Sequence, residues 1–220
     1  MVKKLKLSAI VVIFLAGFIL PTGVFALTIP LDTAFSNYDP PMIATFGAVE
    51  ITDLGSDVKF SISGLDTGAG GSGSDLQTFY FNTAYDIYDL ALGIYSTTPG
   101  TVTPDLSYSF NSAVASYKAD GDGYFDGFVD FGNGDPQVHD ATFVLHSAIY
   151  DLDVDDFLAQ SVGGDKSPYT VAAHIQSTST APGSEFVGGN PAPVPEPATM
   201  LLLGSGLVGL AGLRRKFRRK

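Results

Sequence analysis

The stretch DVKFSIS, residues 57–63, decides the fold. Val58, Phe60 and Ile62 are apolar and alternate with Lys59, Ser61 and Ser63. Side chains on a strand alternate between faces, so this run reads as a strand with one buried face and one wet face. Outward from it, similar short apolar runs recur at 28–31, 43–52, 78–82, 90–96, 106–110, 127–131, 141–150 and 169–176, separated by Gly, Asp, Ser and Pro. Phe79, Tyr80, Phe81, Tyr85 and Tyr88 add large side chains that favour strands. Only residues 153–160 suggest a helical turn, with acidic residues near its start. Many short strands without intervening helices predict an all-β fold of β-sandwich type, with a jelly roll among the arrangements it allows. Residues 68–73 spell G-x-G-x-x-G, but the chain after them reads as a strand and no βαβ unit surrounds them, so they are expected to form a surface loop.

The two ends of the chain differ from its middle. Lys3, Lys4 and Lys6 precede an apolar run at 7–20, and Pro21-Thr-Gly23 and Val24-Phe-Ala26 follow it. This is the pattern of a secretory signal peptide at 1–26, with cleavage expected after Ala26. Residues 177–193 are rich in Ser, Thr, Gly and Pro and read as a flexible linker. The exported domain is thereby placed at 27–176. Nine of the 12 Lys and Arg lie in the two terminal segments, and all 23 acidic residues lie between 27 and 197. Against those carboxylates stand Lys59, Lys118 and Lys166, which leaves this region a formal charge of −20. Such a surface neutralises no phosphates, so nucleic acid is not an expected partner. It also repels acidic polysaccharide unless cations bridge the two. The chain contains no cysteine, which excludes thiol catalysis, thiolate metal sites and disulfides; stability must come from the core.

The last 27 residues, 194–220, fall into three parts. Pro195-Glu196-Pro197 comes first, then 16 uncharged residues at 198–213, then the basic end Arg214, Arg215, Lys216, Arg218, Arg219 and Lys220. As a helix the uncharged part would span about 24 Å, short against a hydrocarbon core of about 30 Å. The basic end is expected to stay cytoplasmic, and its long side chains can lengthen the effective span. Composition alone describes a C-terminal membrane anchor. The order Pro-Glu-Pro, apolar helix and Arg-rich end also resembles the PEP-CTERM sorting signal of bacterial exosortase substrates. The resemblance covers residues 194–220. It implies a membrane-embedded, transpeptidase-like protease that removes the tail, transient residence in the inner membrane, a Gram-negative host that makes exopolysaccharide, and a mature protein at the cell surface or in the matrix.

Within the exported domain the strongest chemical candidate is DGDGYFDG at 120–127. Asp120, Asp122 and Asp126 occupy positions 1, 3 and 7 of a Gly-containing loop, and a hard cation such as Ca²⁺ wants six to eight oxygens. Position 12 is Phe131, so the bidentate Glu of an EF-hand is missing. The competing reading is that these Asp and Gly residues serve turns. Asp151, Asp153, Asp155 and Asp156 form a second acidic group, read first as helix-capping residues. His139 and His146 are seven apart and would face opposite sides of one strand; His174 is the third histidine. No nucleophile elbow is spelled in this domain. The expected function is a non-enzymatic surface or exopolysaccharide-matrix protein, with Ca²⁺ bridging acidic protein to acidic polysaccharide. Two alternatives remain: a carbohydrate-binding module that works without calcium through Tyr80, Tyr85 and Tyr88, and a secreted polysaccharide hydrolase using paired carboxylates.

Overall fold

A computed structural model describes residues 25–35, 41–65, 73–99, 102–108, 117–119, 123–132, 136–164, 166, 168–176 and 183–192. Among these residues thirteen strands follow one another: β1 (Ala26–Ala34), β2 (Met42–Asp53), β3 (Val58–Ser63), β4 (Asp75–Phe81), β5 (Leu90–Pro99), β6 (Asp105–Tyr108), β7 (Tyr117–Lys118), β8 (Gly123–Phe125), β9 (Gly127–Asp130), β10 (Val138–Ser147), β11 (Val162–Gly163), β12 (Val171–Gln176) and β13 (Ser184–Gly189). Two short 3-10 turns, Ile87–Asp89 and Val154–Phe157, are the helical content of the described residues.

Ten strands form one antiparallel sheet in the order β5-β10-β3-β2-β1-β13-β12-β4-β9-β6. The fold is all-β, as the alternating runs require, but the sheet is continuous where two separate sheets were expected. It curls until its outer strands β5 and β6 touch, which leaves it nearly closed. A sheet this long twists by a fixed hand at every strand, and curling buries its apolar face without a second layer.

Phe60, from the alternating run on β3, sits at the centre of the enclosed core. Its ring stacks on Phe143 of β10 (centroids 5.1 Å apart) and stands edge-on to Phe157 (5.2 Å). It also reaches Phe79 and Phe81 of β4, on the far half of the sheet, at 5.8 and 5.9 Å. Phe60, Phe79, Phe81, Phe143 and Phe157 are fully buried. Packing across the interior, more than any local propensity, holds the two halves together.

A smaller sheet, in the order β11-β8-β7, contains the remaining strands. A second buried cluster joins its Phe125 and the neighbouring Ala119 to Phe35, Tyr169 and Ala172, with Tyr80 and Phe186 half-buried against it. Gly123, which opens β8, has φ +103°, and a Cβ there would lie 2.7 Å from the Val162 carbonyl oxygen of β11. Glycine is therefore required both by conformation and by close approach.

The expected linker needs correction. Residues 184–189 of the segment 177–193 are β13, a central strand paired with β1 and β12. Gly188 lies under the Tyr169 ring, and a Cβ on Gly189 would run into the Pro30 carbonyl. These glycines read as linker composition, yet they let neighbouring groups approach the strand closely. The sheet ends at Gly189, and the folded domain extends beyond 176 accordingly. The expected signal peptide lies outside the described residues except for Phe25 and Ala26, as does all of 194–220.

Candidate functional site

β1 and β13 are antiparallel neighbours, so β1 starts and β13 ends toward the same end of the sheet, with Gly188 of β13 set against Thr33, in the later part of β1. The register places four connections there too. The β2–β3 turn follows from Thr52 pairing with Ala26. The end of β10 and the start of β5 meet at Ser147 and Leu90. The end of β4 and the start of β9 meet at Phe81 and Gly127. We call this end the base.

The base is tied together by side chains that satisfy backbone groups. The carboxylate of Asp126 accepts the Thr83 N–H at 2.9 Å, and the Asp126 N–H donates to Asn82 Oδ1 at 3.0 Å. Asn82 Nδ2 then donates to the Ala159 carbonyl at 3.2 Å. Asp153 caps the second 3-10 turn in a reciprocal box: its carboxylate accepts from Asp155 and Asp156 N–H, and the Asp156 carboxylate accepts the Asp153 N–H at 2.8 Å. The Ala84 N–H donates to the Asp156 carbonyl, which joins the loop after β4 to this turn. Phe25, Asp53, Asp153, Val154 and Asp155 line an open cleft of about 240 Å³.

The last link is Asn190, the first residue after β13. Its Oδ1 accepts from the Thr170 N–H (2.9 Å), the Thr170 hydroxyl (3.1 Å) and Gln160 Nε2 (3.0 Å). Its Nδ2 donates to the Pro168 carbonyl at 3.0 Å. The chain is therefore clasped at the point where it leaves the sheet.

The sequence candidates distribute unevenly over this frame. Asp126 is a structural tie at the β8–β9 corner; Asp120 and Asp122 lie outside the described residues. Among the described residues, no group of three or more His, Asp or Glu side chains is arranged to hold a metal ion. Asp153 and Asp156 act as capping residues, and Asp155 lies in the first turn. His139 and His146 sit near opposite ends of β10, roughly 23 Å apart at 3.3 Å per residue. The three tyrosines sit in different surroundings. Tyr80 is half-buried beside Phe125, Phe128 and Phe186. Tyr85 stacks on Tyr150 at 4.2 Å, and Tyr88 is exposed on the first 3-10 turn. Burial pushes the Tyr80 hydroxyl above its usual pKa; the Thr78 hydrogen bond opposes this and the Asp130 charge adds to it. Tyr85 is raised by desolvation and then by Asp156, with Asp153 and Tyr150 adding to it.

Sequence reasoning missed one pair. His174 Nε2 and Ser184 Oγ lie 2.8 Å apart across β12 and β13, with the imidazole stacked 4.4 Å from Phe186. The signal is hidden because Ser184 falls in a segment whose Ser, Thr, Gly and Pro content reads as a linker. The pair bridges adjacent strands on the half-buried outer face.

Pro195, Glu196 and Pro197, together with the apolar segment 198–213, lie outside the described residues. Among the described residues no helix is long and apolar enough to cross a membrane. Their identity rests on comparison: residues 193–216 match the family model for the PEP-CTERM protein-sorting motif. No curated protein and no solved structure matches the chain. Residues 193–216 thus carry a PEP-CTERM protein-sorting motif, which implies exosortase processing and export to the cell surface or extracellular space.

Proposed function

We propose that the mature domain is a non-catalytic component of the cell surface or exopolysaccharide matrix, delivered there after its C-terminal segment is removed. The observation that carries this reading is the sorting motif at 193–216, placed directly after a folded domain whose last strand ends at Gly189. Residues 198–213 act as a membrane-spanning helix that holds the precursor for the protease. Pro195-Glu196-Pro197 supplies the recognition element: two rings that fix the backbone around one carboxylate. Replacing Glu196 with Ala tests this. A full-length, membrane-retained species is expected, and normal release of the variant would overturn recognition at this motif.

In the matrix, the formal charge of −20 on residues 27–197 sets the partner chemistry. Divalent cations, Ca²⁺ first, bridge its carboxylates to acidic polysaccharide. Asp120 and Asp122 are the candidate ligands, with Asp126 contributing from a carboxylate already held by Thr83.

A further inference from the structure

We propose that the outer face of strands β4, β9, β12 and β13 binds a neutral polysaccharide by stacking sugar rings on its half-buried aromatics. The proposal rests on the matrix reading for its setting and adds a site and a ligand class that need no cation.

Residues directly opposite on neighbouring strands share a face, so the register defines what this surface carries. Tyr80 of β4 stands opposite Phe128 of β9 and Ala172 of β12. Two residues along, Thr78 stands opposite Asp130 and His174, and His174 stands opposite Phe186. The smaller sheet covers part of this face, packing on Ala172 through Ala119 and Phe125. At its margin Tyr117 stands edge-on to Phe128, with ring centroids 4.5 Å apart. The rings continue from Phe128 to Tyr80 at 5.7 Å, from Tyr80 to Phe186 at 6.1 Å and from Phe186 to His174 at 4.4 Å. Tyr117, Phe128, Tyr80, Phe186 and His174 are all half-buried. Each ring is held by its neighbours and still shows part of its surface. A row fixed in this way loses little freedom when a ligand settles on it.

The polar groups beside the rings select the ligand. Asp105 of β6 and Asp130 of β9 are exposed and directly opposite one another. Like charges so placed destabilise a sheet, and β4, β6, β9, β12 and β13 contain no Lys or Arg to offset them. An anion is repelled here, whereas a neutral ligand with hydroxyl donors gives the carboxylates charge-assisted hydrogen bonds. Asp130 Oδ1 accepts the Gly132 N–H at 2.8 Å, which fixes the carboxylate beside the row. A sugar combines an apolar C–H face with a rim of hydroxyls, and so matches rings flanked by acceptors.

The full-length chain, purified in a detergent without a sugar headgroup, is titrated calorimetrically with cellohexaose, mannohexaose and laminarihexaose. Polygalacturonate is titrated in parallel, and every titration is run in Ca²⁺ and in EDTA. At least one neutral hexasaccharide is expected to bind, equally in both conditions. Phe128→Ala and Phe186→Ala are expected to weaken that binding about tenfold or more, Asp130→Asn less, and Tyr88→Ala, at the base, not at all. Because these rings also pack on the fold, a second measurement avoids truncating them. The chain has no tryptophan, so Phe128→Trp places one reporter in the row. Its emission is expected to shift with the sugar that binds, while that of Ile94→Trp, exposed on β5, stays unchanged. Silence from all three neutral sugars, binding of polygalacturonate alone, or loss of binding in Tyr88→Ala but not in Phe128→Ala would overturn the proposal. Retention of the chain by the cells that express it would instead refute the matrix setting, on which the titrations do not depend.

Discussion

Asn190 Oδ1 accepts both the N–H and the hydroxyl of Thr170, at 2.9 and 3.1 Å. This contact marks the boundary between the folded domain and its sorting segment. Thr170 is 1 % exposed, so its polar groups depend on protein partners. Asn190→Ala removes the shared acceptor and is expected to cost about 1–3 kcal/mol of stability. Asn190→Asp keeps an acceptor but loses the donation to Pro168, and should fall between the two. Urea unfolding of the secreted domain checks the order.

Phe60→Ala should be among the most damaging core changes. The ring touches four other buried phenylalanines from both halves of the sheet. Large-to-small aromatic changes of this kind cost about 3–5 kcal/mol. Phe60→Leu retains much of the volume and should cost less. Equal stability of wild type and Phe60→Ala would show that the sheet does not close around this residue.

Stability should fall as pH rises through the tyrosine range. The Tyr80 pKa is raised in the folded state, so above about pH 10 the unfolded chain loses its proton first. The native state then binds more protons than the unfolded state, and the unfolding free energy drops with pH. Below that range Tyr80 contributes no pH dependence. Tyr80→Phe is expected to flatten the alkaline limb of a pH series of thermal melts.

Calcium binding has a direct thermal signature. A site present only in the folded state adds about 2.7 kcal/mol at a hundred times Kd. Melts with Ca²⁺, Mg²⁺ and EDTA should show a Ca²⁺-selective rise that Asp122→Ala abolishes. Asp126→Ala is a different test, because it also removes the acceptor for the Thr83 N–H and should destabilise the domain even in EDTA. A melt that no cation shifts would assign the DGDG segment to turn chemistry alone.

How legible the molecule was depends on the kind of interaction. The Val58, Phe60, Ile62 alternation identified β3, and the longer runs located β2, β10 and β12 to within a few residues, because burial of one face leaves a local period. β13 was not legible. Its Gly188 and Gly189 lie against Tyr169 and Pro30, partners distant in sequence, and its Ser-rich flank resembles a linker. The two-residue strands β7 and β11 are too short to carry any period. Closure into one curled sheet was also hidden, since it depends on contacts such as Phe60 with Phe81. At the candidate site, Asp153 was readable as a cap from local spacing. The tie from Asp126 to Asn82 and Thr83 spans more than 40 residues and leaves no local mark.

The most direct measurement is the intact mass of the protein released by cells that express the full chain. The account predicts a species that retains the folded domain through Asn190 and ends near Pro195-Glu196-Pro197, without the apolar and basic segment 198–220. A released protein that still carries Arg214 to Lys220, or one cut upstream of β13, would contradict it.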